Sequence, residues 1–177
     1  MFLASIVNEN VQQHFFKTVC NSVPETTYGD LSPATVDGAV PIWGVEDKHR
    51  LRGFWSQITQ GDYVVFYTGN NPIHRSDTGY LEYAAKVQET IKSIELSQRL
   101  WEPYRGSGGV GDDKRGPWPL ILFLDEPTQI VLHHDELREL AGFSEDWNPQ
   151  EFSSYSGTPK VRQKYGGLNA LVDAKAV

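Results

Sequence analysis

The sequence predicts an α+β domain built on a strongly curved, barrel-like β-sheet of about six strands with flanking helices. Three observations carry that prediction. Short β-branched and aromatic runs recur along the chain, each bounded by Gly, Pro, Asn or Asp. Helical periodicity is confined to a few short stretches between them. The chain has 177 residues, 39% of them hydrophobic, enough for one real core. Two comfortable cores would need more chain, so residues 1–177 are expected to form a single domain.

Residues 1–7, apolar and β-branched, read as a buried first strand. Asn8-Glu9-Asn10 then caps an amphipathic helix from Val11 to about Cys20, with Val11, Phe15 and Val19 on one face. The stretch Ser22 to Gly38, rich in Pro, Thr, Gly and Asp, predicts a long loop. Ala39 to Val45 is the second strand, and a short helical stretch covers about Lys48 to Ile58. Gly61-Asp62 turns the chain into Tyr63-Val64-Val65-Phe66-Tyr67, the strongest strand signal present. A loop begins at Asn70-Asn71-Pro72, one or two strands span Tyr80 to Ile91, and Ser97 to Trp101 is a short helix or turn. Residues 103–119 read as a long Gly- and Pro-rich loop. Leu120 to Leu124 is a buried strand and Ile130 to Leu132 a shorter one; His134 to Ala141 is a helix closed by Gly142. The remainder reads as loop until a last helix near Gly167 to Val177. That helical pattern runs to the last residue without a cap, as expected of a domain excised from the N-terminus of something longer, or of a natural C-terminal helix.

Several classes of function find no support. No run of about 18 apolar residues exists to span a membrane, and the N-terminus lacks the basic flank and cleavage site of a signal peptide. A single cysteine, Cys20, excludes an internal disulfide framework; it reads as a small buried hydrophobe in a reducing compartment, hence a cytoplasmic chain. Gly106 to Gly111 has the look of a dinucleotide loop but no strand and helix flank it. His133-His134-Asp135-Glu136 lacks a third metal ligand at proper spacing, and its carboxylates simply suit a helix N-terminus. Asp112-Asp113-Lys114 has no apolar strand to position it as a nuclease centre. Neither a catalytic constellation nor a cofactor or metal site is expected. The formal net charge of −7 also argues against a general DNA-binding protein, because phosphate neutralisation supplies most non-specific affinity.

Aromatic positions are the more informative. Trp43 ends a strand between two loops, Trp101 stands at the mouth of the glycine-rich loop, and Trp118 stands at its far end. Rings flanked by Gly and Pro suit a pocket, where two facing indoles sandwich a flat base at about 1–3 kcal/mol per stack; the other reading is that they seal the ends of the barrel. Lys48, Arg50 and Arg52, with His49, cluster after Trp43, and Arg105, Lys114 and Arg115 lie in the long loop. These cations suit phosphates around a pocket mouth, or a solvated mixed-charge surface.

The run Phe2-Leu3-Ala4-Ser5-Ile6-Val7-Asn8-Glu9-Asn10-Val11, followed by Ile42-Trp43-Gly44-Val45, resembles the opening of YTH domains. Gly61-Asp62-Tyr63-Val64-Val65-Phe66-Tyr67 resembles the central strand of the related EVE and PUA-like domains, and Tyr83-Ala84-Ala85-Lys86-Val87 is similar to the strand after it. Trp101, a glycine-rich loop, an apolar strand and Asp125-Glu126-Pro127 then follow in the YTH-like order, so the pattern covers roughly residues 1–130. The resemblance implies a PUA-like barrel of the EVE/YTH kind that binds a flipped, modified base. It implies Trp43 and Trp101 as cage walls, Asn10 on the base edge, and Ser5 beside the nucleotide. Gly44 stands where those domains commonly carry Ser or Thr, and the third wall falls within 108–118, with Val110 and Trp118 among the candidates.

Domains of this resemblance open McrBC-type restriction systems, where a reader is fused to a GTP-driven motor. The expectation is therefore a non-enzymatic reader of a modified base in DNA, 6-methyladenine favoured and 5-methylcytosine next. It would act in a modification-dependent restriction system, beside a fused or partner motor or nuclease, and be monomeric in isolation. RNA as the nucleic acid, an ASCH-like hydrolase acting on a modified nucleoside, and a protein-interaction domain are the alternatives.

Overall fold

The computed structural model describes residues 1–6, 9–33, 38–67, 80–101, 118–145, 152–154 and 159–177. Seven strands lie among them: β1 (Phe2–Ser5), β2 (Ile42–Val45), β3 (Tyr63–Tyr67), β4 (Tyr80–Lys92), β5 (Leu120–Leu124), β6 (Thr128–His133) and β7 (Phe152–Ser154). The helices are α1 (Glu9–His14), α2 (Glu25–Tyr28), α3 (His49–Trp55), α4 (Ile94–Trp101), α5 (His134–Ala141), α6 (Pro159–Tyr165) and α7 (Leu168–Asp173). The chain divides into two compact units, Met1–Val7 with Asp62–Ala85 and Thr128–Val177, and Asn8–Gly61 with Lys86–Pro127.

In the first unit β1 runs parallel to β3, Leu3 opposite Val65, and antiparallel to β7, Leu3 opposite Ser153. The first part of β4 pairs antiparallel with β6, Ala84 opposite Thr128. Period-two alternation sends Met1, Leu3, Tyr63, Val65 and Tyr67 to one face, where Ile130, Leu132, Leu137, Val161, Leu171 and Val172 complete a core. β3 is buried along its whole length, which is why it reads as an unbroken apolar run. Gly142 closes α5 in the left-handed region at φ 69°, and the Phe143 amide returns to the Arg138 carbonyl at 3.1 Å. Beyond α7, the Val131 amide donates to Lys175 and the Val177 amide to Gln129, so the last residues lie along β6.

In the second unit β5 is central. It pairs antiparallel with β2, Trp43 opposite Leu122, and with the last part of β4, Ile91 opposite Ile121. Ile42, Ile121 and Phe123 share one face with Val23, Tyr28, Val40 and Leu96. The Tyr28 hydroxyl donates to the Gly38 carbonyl, and Arg99 of α4 holds Asp30 at 3.1 Å and Glu95 at 2.8 Å.

Several sequence expectations are corrected. The Ser22–Gly38 stretch contains α2 and a 3-10 turn over Gly29–Leu31. The helix after β1 starts at Glu9, and from Phe15 to Cys20 it widens into a π-helix, the Asn21 amide reaching back five residues to Phe16 at 3.1 Å. Tyr80–Lys92 is one strand of 13 residues. β7 and α6 occupy ground read as loop, and the last helix ends at Asp173. Cys20 is exposed, not buried, although partial cover of its sulfur pushes the thiol pKa up, away from the reactive thiolate. The expected loops at 70–79 and 103–117, with Gly106 to Gly111 and Asp112 to Lys114, lie outside the described residues.

Candidate functional site

The second unit gathers the aromatic residues singled out from the sequence. Trp43 sits on β2 with Leu122 beside it, and its ring is only 5% exposed. The fully buried Phe15 presents an edge to it, centroids 6.5 Å apart at 70°. Trp118, half-buried just ahead of β5, tilts over His14 at 4.5 Å and 51°. Consecutive residues 14 and 15 of one helix thus touch the two indole-bearing segments.

Gly44 is what lets the second of these segments approach. A Cβ built there would stand 3.0 Å from the Trp118 carbonyl oxygen and 3.1 Å from the Trp118 Cβ. Side chains alternate along a strand, so the Trp118 backbone covers the face of β2 opposite to the Trp43 ring. The Ser or Thr of the resembled domains has no room here unless Trp118 shifts.

Trp101 is the last residue of α4 and Asn10 lies within α1; the side chains of both are outside the description, as are Val110, Arg105, Lys114 and Arg115 entirely. Ser5 belongs to the first unit, half-buried on β1 opposite Tyr67.

Sequence reasoning missed Gln12. It is 4% exposed on α1, and its Nε2 has no hydrogen-bond partner among the described residues. A buried donor left unpaired costs about 1–3 kcal/mol, so its retention needs a reason. Helical spacing places Gln12 one turn from Phe15, with His14 on the far flank of the same buried arc.

The cations after Trp43 are held by neighbouring carboxylates. Lys48 pairs with Glu46 at 2.9 Å, and Asp47 takes Arg52 at 2.6 Å and Lys92 at 2.8 Å. Hydrogen bonds from Lys92 and then Arg52 hold the Asp47 carboxyl below the usual aspartate range. Arg50 is exposed on α3. In the first unit, His133 caps α5 by accepting the Asp135 amide at 3.1 Å, which gives that histidine a structural role. No group of three or more metal-ligating side chains forms among the described residues. No helix among them is long and apolar enough to cross a membrane.

The α+β arrangement, with helices flanking the strands, is the PUA/EVE-like fold that the sequence resemblance implied. The N-terminal domain of Thermococcus gammatolerans McrB, solved bound to m5C DNA, shares it with a TM-score of 0.65 at 17% identity, over 92% of this chain and 94% of that one. No protein-family profile matches the sequence, and no curated protein matches it.

Proposed function

We propose that the chain is a reader of a methylated base in DNA, taking the base out of the duplex and holding it against the aromatic residues of the second unit. The observation that carries this reading is the fold likeness over nearly the whole chain to a domain solved with m5C DNA. That ligand puts 5-methylcytosine first among the bases and 6-methyladenine, which the sequence resemblance favoured, second.

The half-buried Trp118 is the ring a base reaches first. Trp101 acts as a further wall, while Trp43, 5% exposed on the other face of β2, backs the strand that carries the site. Extruding a base costs a few kcal/mol, and stacking at about 1–3 kcal/mol per ring returns it. Burying one added methyl contributes about 0.8 kcal/mol more, the margin by which a modified base is preferred. Arg50, with Lys48 and Arg52 exchanging their carboxylates for phosphates, positions the backbone. Binding, without bond-making chemistry in this chain, is the whole of the activity; a motor or nuclease, fused or separate, would act on the result. The chain binds as a monomer.

Titration of the protein with short duplexes of one sequence, carrying 5-methylcytosine, 6-methyladenine or no modification, tests the reading. Tighter binding to one methylated duplex, by about four-fold or more, supports it. Equal affinity for all three duplexes contradicts it, and preference for the matching RNA would move the reading to RNA.

A further inference from the structure

Among the described residues of the second unit, Ile94 is the large aliphatic side chain that the fold leaves in solvent. It is 57% exposed, whereas Leu96, two residues on, is fully buried with Ile121 and Phe123. Its backbone is firmly held. The Ser93 hydroxyl accepts the Leu96 amide at 3.0 Å and the Ser93 carbonyl accepts the Ser97 amide at 3.2 Å, which fixes the first turn of α4. Branching at Cβ stiffens the side chain itself, so Ile94 is a rigid apolar protrusion.

The strand ladder sets its place. β4 and β5 pair as far as Lys92 opposite Leu120, and the Ser93 amide carries the pairing one step further by donating to the Pro119 carbonyl at 2.9 Å. The next residues outward on the two segments are Ile94 and Trp118, so the exposed isoleucine and the half-buried indole flank the same end of the ladder. Cations border that end: Lys92, two residues before Ile94, shares the Asp47 carboxylate with Arg52. The acidic neighbour, Glu95, is taken up by Arg99 at 2.8 Å.

A base drawn out of a duplex leaves a gap one ring thick between two apolar base faces, opposite a partner that has lost its pair. Proteins that deform DNA fill such openings with aliphatic side chains inserted between base steps, and cations beside the insertion hold the phosphates.

We propose that Ile94 is the wedge of the site: as the methylated base leaves the duplex for Trp118, the Ile94 side chain enters the gap, replaces part of the lost stacking and keeps the base from returning. This rests on the function proposed above and adds to it the form of substrate, double-stranded DNA. A site for single strands has no gap to fill and needs no protruding apolar tip.

Ile94→Ala removes the tip at an exposed position, so the variant is expected to keep the parent's melting temperature. The measurement is the affinity of parent and variant for one methylated strand, fully paired and single-stranded, the latter read by competition against the labelled duplex. The wedge predicts a loss of about tenfold for the duplex and an unchanged affinity for the single strand. An equal loss on both forms makes Ile94 a wall of the pocket and overturns the inference, as does an unchanged affinity for the duplex. A melting temperature clearly below the parent's makes it a packing residue and overturns it too. A parent chain with no preference for methylated over unmodified duplex removes the function and this inference together.

Discussion

Gly44 and Trp118 meet backbone to backbone: a Cβ on Gly44 would lie 3.0 Å from the Trp118 carbonyl oxygen. A main-chain oxygen cannot swing aside as the end of a long side chain can. The glycine therefore fixes where the Trp118 indole stands, and with it the His14 ring 4.5 Å away.

Gly44→Ser is expected to push the Trp118 segment outward, costing about 1–3 kcal/mol of stability by overpacking, and to weaken DNA binding. Tryptophan emission and denaturant unfolding read both effects. A variant with parental stability and emission contradicts the contact.

Trp118→Ala and Trp43→Ala should part company. The half-buried Trp118 supplies a stacking face, so its removal lowers affinity for methylated DNA by roughly tenfold or more while the protein stays folded. The Trp43 ring is 5% exposed against Phe15, and its truncation is expected to cost about 3–5 kcal/mol of folding stability. Thermal melts of the two variants, set beside binding isotherms, check the split; equal melting temperatures would refute it.

Asp47→Asn should strengthen DNA binding, although the site it alters is on the protein. The substitution releases Arg52 and Lys92 from their 2.6 and 2.8 Å pairs, and each cation that takes up a phosphate steepens the log–log salt dependence by about 0.9. Affinity is expected to rise roughly two- to fivefold. An unchanged salt slope would show that neither cation reaches the DNA.

Glu136 sets an acid limit on the first unit. Partial burial alone would push its carboxyl up, but hydrogen bonds from Lys175 and Tyr165 and the charges of Lys175 and Lys164 outweigh that and hold it below the ordinary glutamate value. A folded-state pKa lower than the unfolded one contributes stability above the unfolded value, and that stability is lost as pH falls through the folded one. Glu136→Gln should therefore lower the melting temperature near neutrality, by roughly 1 kcal/mol or less of stability, and flatten its fall in acid. Parallel melting curves for variant and parent across that range would contradict the clamp between α5, α6 and the last residues.

Much of the fold was legible because its signals are local. Tyr63–Tyr67 and Leu120–Leu124 are buried on both faces and so appear as continuous apolar runs, and the helix His134–Ala141 announces itself by acidic residues at its start and Gly142 at its end. β7 escaped notice because its three residues are ordered by pairing with β1, some 150 positions earlier in the chain. α6 is mostly polar and charged, with Val161 buried and Tyr165 partly buried against the same core. The π-helix changes the hydrogen-bond ladder without changing residue type.

The site was less legible for the same reason. A glutamine inside a helix reads as solvent-facing, and only tertiary packing buries Gln12. Trp43, beside a glycine, suggested an open pocket; strand alternation instead turns it away from the face that Trp118 covers. The pairing of Lys48 and Arg52 did have a signal, the two carboxylates Glu46 and Asp47 standing just ahead of them. Trp101 and Asn10 have their backbones in α4 and α1, and their side chains lie outside the description.

A crystal structure of the chain with a duplex holding a single 5-methylcytosine tests the central claim most directly. The account predicts that base rotated out of the helix with its ring stacked on Trp118. A methylated base still paired within the duplex, or lodged away from Trp118, would contradict it.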